Sequence, residues 1–185
     1  MTDGPVVLLE GASDVAAVRA VADVLGVDDE HVRYVDLGGV TNVRRRLEIL
    51  RVDEPDTDVV GMCDAGEVSV VVRALEADGA WIRGADDLPS YGFFVCHADV
   101  EDELIRALGP IRVLEVLDGM GLRSTFYAFQ GQPAWRDREL PDQLRRFCGT
   151  SSGRKEILAR ELASALTPET VPEPLRLLVE RIASA

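Results

Sequence analysis

Val6-Val7-Leu8-Leu9-Glu10-Gly11-Ala12-Ser13-Asp14 is the stretch from which the fold is read. Its four leading apolar residues are too few for a helix and carry no polar alternation, so they form a fully buried strand that ends at Glu10-Gly11. Ser13 is placed to cap the helix that follows. In that helix Val15, Val18, Ala22 and Leu25 recur at helical spacing until Gly26 stops it.

Outward from this unit the pattern repeats. Val32 to Val35 reads as a second strand, Gly38-Gly39 as a turn, and Thr41 as the cap of a helix carrying Val43, Leu47 and Leu50. Val59 to Cys63 forms a third strand closed by Asp64, with a helix from about Glu67 to Ala77. Gly79 to Tyr91 reads as a loop, rich in turn formers. Gly92 to Cys96 is a fourth strand, and Val100 to Leu108 a fourth helix that Gly109-Pro110 ends. Strands alternating with helices at this spacing predict an α/β fold: a parallel four-stranded sheet with right-handed crossovers and helices on its faces. Beyond Pro110 the spacing in Val113–Leu117, Leu140–Phe147, Ile157–Leu166 and Leu175–Ile182 is helical. Two parts are therefore expected, a metal-binding α/β domain over 1–109 and a helical C-terminal extension over 110–185 that carries Lys155.

At 185 residues and 46% hydrophobic, the chain can bury one sizeable core. It contains neither a long uncharged apolar run nor a basic, apolar leader, so the expectation is a cytoplasmic protein with no membrane partner. Cys63, Cys96 and Cys148 are odd in number and widely spaced, and read as buried reduced thiols. His31 and His97 are the only histidines, too few for a histidine-rich zinc site. A net charge of −13 excludes a protein that grips nucleic acid unaided through a broad basic face. Binding a polyanion would need metal ions, a local arginine patch or a partner. Lys155 is the only lysine; the other 19 of the 20 basic residues are arginine.

In open parallel sheets ligands bind beyond the carboxyl ends of the strands, and acids concentrate there in this chain. Glu10 ends the first strand, with Asp14 four residues later. Asp64 ends the third, with Glu67 three residues on, and Asp99 and Glu101 follow the fourth. Crowded carboxylates repel one another unless a cation joins them or some are protonated. A hard divalent ion takes oxygen ligands, and two ions on one edge suit an in-line displacement at phosphorus. Each acid has a plainer reading as a helix N-cap. Ser151-Ser152-Gly153-Arg154-Lys155 is not a phosphate loop, since no glycine at the required spacing and no strand lead into it. Lys155 reads either as a solvated helix-start residue or as a compact charge facing a phosphate. His97, two residues before Asp99, is placed for a supporting role at the same edge. Arg44-Arg45-Arg46 reads as a solvated helix face, with a phosphate-contacting patch the alternative. Trp81, Trp135 and Phe126-Tyr127 read as core or interface anchors, with base stacking the alternative.

The Glu10-Gly11 that ends the first strand, with Asp64 ending a later one, resembles the Toprim domain, in which these acids hold Mg²⁺. The likeness covers about Val6 to Leu108. Within that superfamily the chain is most similar to the OLD (overcoming lysogenization defect) nucleases, through Glu10-Gly11-Ala12-Ser13-Asp14, Asp99-Val100-Glu101, and Lys155 in a helical segment. The resemblance implies a DNA-cleaving or DNA-nicking enzyme using one or two Mg²⁺ or Mn²⁺ ions. Glu10, Asp14, Asp64, Asp99 and Glu101 would be ligands, with Glu10 and Lys155 catalytic and Arg154 and Ser152 contacting the phosphate. Toprim domains usually carry Asp-x-Asp where this chain has Asp64-Ala65-Gly66-Glu67, which leaves open whether Glu67 replaces the second acid. OLD proteins also carry an N-terminal ATPase, so the resemblance implies a stand-alone version or an ATPase on a separate subunit. A non-catalytic metal-binding module serving an ATPase or repair partner is the alternative. Action on small phosphorylated molecules, or synthesis of phosphodiester bonds, is a third reading.

Overall fold

A computed structural model describes residues 4–150 and 154–185. Four strands, β1 (Val6–Leu9), β2 (Arg33–Asp36), β3 (Val59–Asp64) and β4 (Phe93–Cys96), form one parallel sheet in the order β2-β1-β3-β4. The helices are α1 (Ala12–Leu25), α2 (Val43–Asp53), α3 (Val68–Ala77), α4 (Val100–Gly119), α5 (Arg123–Gln130), α6 (Leu140–Gly149), α7 (Lys155–Ser164) and α8 (Glu173–Ala183). A parallel sheet followed by a largely helical C-terminal region is thus the architecture that the alternation predicts.

Side-chain alternation along the strands divides the core. Val7 and Leu9 of β1, with Val60, Met62, Phe94 and Cys96, face a cluster built with α1, α4 and the C-terminal helices. Val6, Leu8, Cys63 and Phe93 face the opposite way, against α2 and α3. Both faces of β1 are covered, and all four of its residues are fully buried, which is why its sequence is an unbroken apolar run. Leu158 and Leu162 of α7 and Leu175 and Leu178 of α8 share the first cluster with the sheet and α1. The C-terminal helices therefore complete the cover of one sheet face.

β1 and β3 approach closely because Gly61 lies opposite Leu8. A Cβ on Gly61 would come within 2.8 Å of the Leu8 carbonyl oxygen and 2.6 Å of the Phe93 ring. Gly61→Ala is accordingly expected to destabilise the protein by about 1–3 kcal/mol, as overpacking in a dense core does, measured as a lower urea midpoint at unchanged m. An unchanged midpoint would mean that the strands part easily here.

Several local expectations are corrected. Ser13 does not cap α1. The helix begins one residue earlier and Ser13 is buried inside it, while the Asp14 carboxylate accepts the Gly11 N–H at 2.9 Å. Thr41 lies within a short 3₁₀ turn, Val40–Asn42, and α2 starts at Val43. The segment before β4 is not all loop, since Ala85–Tyr91 forms a 3₁₀ helix. At Gly109-Pro110, by contrast, the first helical stretch of α4 ends as expected. Gly109 takes φ 72°, and Pro110, which needs no N–H partner in a first turn, starts a second helical stretch that runs to Gly119.

Candidate metal centre at the carboxyl edge of the sheet

The strand order reverses between β1 and β3, because β2 lies on one side of β1 and β3 on the other. The crevice beyond such a reversal is where open α/β sheets bind ligands. Glu10 follows β1 directly and its carbonyl oxygen accepts the Gly39 N–H at 2.9 Å, which fixes the backbone from which its carboxylate projects. Asp64 is the last residue of β3, and Glu67 ends the short 3₁₀ turn Ala65–Glu67 that leads into α3. One carboxylate oxygen from each of Glu10, Asp64 and Glu67 lies within 4.8 Å of the other two, and all three residues are half-buried. This triad can coordinate a divalent cation.

The electrostatics of the crevice agree. Burial, then the charges of Asp14, Glu10, Glu67 and Asp99, push the Asp64 carboxyl up to about 7. Burial, Glu10 and Asp14 do the same to Glu67, also to about 7. Asp14 rises to about 7 through burial and Glu101, and then Glu10, although the Gly11 N–H and the Lys155 charge oppose the rise. Oε2 of Glu67 is buried and has no hydrogen-bond partner among the described residues. The convergence of Glu10, Asp64 and Glu67, with raised proton affinity at Asp64 and Glu67 and an unpaired buried oxygen on Glu67, fits a hard cation such as Mg²⁺ or Mn²⁺. Cys63, next to Asp64, packs into the cluster with α2 and α3, and burial pushes its thiol up to about 12.

Lys155, the first residue of α7, lies with its Nζ 3.2 Å from Oε1 of Glu101. Glu101 sits in the first turn of α4 and is 4% exposed, whereas the Lys155 side chain is 45% exposed. Burial lowers the lysine pKa, but the Glu101 carboxylate, with Asp14 and Glu10 behind it, outweighs that, and the net shift is upward. The amine is therefore a permanent cation with one side on the acids and one side open.

No family model and no curated protein sequence matches the chain. Solved structures do. The C-terminal region of the OLD protein of Xanthomonas campestris pv. campestris superposes with a TM-score of 0.75 at 23% identity, covering 99% of this chain and 93% of that one. The C-terminal region of the Burkholderia pseudomallei OLD protein gives 0.66 at 18% identity, covering 97% of each. The chain has the fold of an OLD C-terminal region.

Within this OLD-type fold the expected site residues divide into groups. Glu10, Asp64 and Glu67 come together, Asp14 stands beside them electrostatically, and Glu101 joins Asp14 to Lys155. Asp99 is engaged elsewhere. Its Oδ1 accepts the Asp102 N–H at 2.7 Å as the cap of α4, and its Oδ2 pairs with Arg145 at 2.9 Å, although its charge still reaches Asp64. Arg154 is exposed at the entry to α7. Ser152 lies outside the described residues. The His97 side chain is exposed, and it is the backbone N–H of His97 that is engaged, donated to the buried Glu103 at 2.7 Å. Arg145 and Glu103 do not stand out when the sequence is read. The only signal for Arg145 is the doublet Arg145-Arg146 on a helix expected to follow the sheet.

No helix among the described residues is long and apolar enough to cross a membrane.

Proposed function

We propose that this chain is a divalent-metal-dependent phosphodiesterase that nicks or cleaves DNA. The observation that carries the proposal is the Glu10–Asp64–Glu67 triad at the strand reversal, with Lys155 held across Glu101 on the same edge. The triad would hold one Mg²⁺ or Mn²⁺ ion. Asp14 and Glu101 offer further carboxylates for a second. Bound there, such an ion polarises a phosphoryl oxygen and lowers the pKa of a coordinated water.

The chain's own residues supply the rest. Glu10 anchors the triad from a backbone that the sheet and Gly39 hold still. Lys155 places a compact positive charge where a phosphoryl oxygen gains negative charge in the transition state. The Glu101 carboxylate keeps that charge aimed and the amine protonated. Arg154 and Ser152, one and three residues before Lys155 in the sequence, would contact the same phosphate.

The test is conversion of supercoiled plasmid to open circle by purified protein with Mg²⁺, Mn²⁺ or EDTA. Lys155→Ala is expected to slow single-turnover nicking on the order of a hundredfold, as removal of one transition-state contact does, with DNA affinity little changed. Equal rates for the variant and the wild type would remove Lys155 from the mechanism. A second reading rests on Gly66, which stands where Toprim domains usually place their second aspartate. A non-catalytic metal-binding module, working with an ATPase or repair partner, predicts metal-induced stabilisation and no nicking.

A further inference from the structure

Beside the acid edge lies a cleft of about 490 Å³ lined by Asp99, Trp135, Arg138, Asp142, Arg145 and Arg146. Asp99 belongs to both places, since it lines this cleft and its charge raises the pKa of Asp64. In a chain with net charge −13, three arginines converging next to a carboxylate cluster are a local reversal of sign. Arg145 is paired with Asp99 at 2.9 Å. Arg138 and Arg146 form no ion pair with a carboxylate among the described residues, which leaves their guanidinium charges available. Asp142 is the other acid on the wall.

The cleft is built rather than incidental. Arg145 and Arg146 come from α6, whereas Trp135 and Arg138 come from the segment between α5 and α6. Gln143, 5% exposed, fixes the segment to the helix. Its Nε2 donates to the Trp135 carbonyl at 2.7 Å and to the Arg138 carbonyl at 3.0 Å, and its Oε1 accepts from Gln130 at 2.5 Å. Trp135 stacks on Phe129, with ring centroids 5.3 Å apart, and carries the Arg146 guanidinium 5.9 Å from its own ring. A guanidinium held over an indole is oriented before any ligand arrives, so less entropy is lost when it binds.

We propose that this cleft seats a backbone phosphodiester of the nucleic-acid strand next to the scissile one, contacted by Arg138 and Arg146, with Trp135 as the positioning residue for Arg146. The inference rests on the phosphodiesterase reading for the identity of the strand. It explains how so acidic a chain holds a polyanion: two unpaired guanidinium groups grip the backbone while the metal centre neutralises the phosphate that reacts.

The test is binding of a fluorescein-labelled single-stranded oligodeoxynucleotide, followed by anisotropy in EDTA so that the metal centre makes no contribution. The double variant Arg138→Ala/Arg146→Ala is expected to bind on the order of tenfold more weakly, and the slope of log Kd against log salt is expected to fall by about one to two. Arg44→Ala, which removes an arginine paired with Glu48 on α2, should leave both unchanged. Trp135→Ala should weaken binding and Trp135→Phe should retain most of it, the pattern of a positioning residue. Equal affinity and equal salt slope for wild type and double variant would overturn the proposal. So would competition by a deoxynucleoside monophosphate as strong as that by the strand, since the cleft would then serve a small phosphate ligand. Because the measurement contains no metal and no turnover, its result is independent of whether the protein nicks DNA.

Discussion

Glu10→Ala is expected to lower metal-dependent nicking by at least about a hundredfold while the protein remains folded. Glu10 is half-buried at the surface of the crevice, and its backbone contact with Gly39 does not involve the side chain, so alanine removes a carboxylate without opening the core. It also removes a charge that raises the pKa values of Asp14, Asp64 and Glu67. The variant should consequently be no less stable than the wild type in EDTA near pH 7. Loss of nicking together with a retained or raised Tm separates a ligand from a structural residue. Nicking at the wild-type rate in both Mg²⁺ and Mn²⁺ would exclude Glu10 from the centre.

The second large effect is on stability. Asp14 and Asp64 have pKa values of about 7 against ordinary values of 3.8, and Glu67 about 7 against 4.5. The folded state thus binds more protons than the unfolded state between about pH 4 and pH 7. Where the native state holds the extra protons, stability falls as pH rises. In EDTA the contribution of these acids should be complete below about pH 4 and lost as pH passes through 7. Mn²⁺ should reverse the trend, because the cation takes the place of the protons and its affinity rises with pH. At a hundred times its dissociation constant a ligand adds about 2.7 kcal/mol, which for a chain of this size raises Tm by about 5–10 °C. Thermal scans from pH 5 to 8, with EDTA and with Mn²⁺, test both signs. A Tm that does not respond to Mn²⁺ at pH 8 would mean that the triad is not a cation site.

What could be read from the sequence was what local pattern encodes. β1 is legible because burial on both faces demands an unbroken apolar run, and the place of Glu10, Asp14 and Asp64 at the carboxyl edge of the sheet because that edge follows from the strand ends. The Asp99–Arg145 pair is not legible, since 46 residues separate the partners and only packing of α6 on α4 brings them together. α5 was missed for a different reason. Its start, Arg123-Ser124-Thr125, is polar, and only Phe126 of the helix is buried, so no apolar stripe announces it. Gly109-Pro110 is legible as the end of one helical stretch, and Pro110, suited to a first turn, begins the next. Glu67 shows the limit of motif spacing: it is displaced from the usual position of the second acid, yet the 3₁₀ turn returns its carboxylate to Glu10 and Asp64.

The solitary lysine has a practical consequence. Amine-directed reagents ordinarily label a protein at many sites, but here one side chain carries the only ε-amino group, and it touches Glu101 at the edge of the proposed centre. Reductive methylation with isotopically enriched formaldehyde would place a single NMR-visible side-chain reporter on Lys155, distinguishable by its titration from the chain's α-amino group. Its chemical shift would follow cation binding, proton release and the approach of a phosphate in one spectrum, without any substitution in the protein.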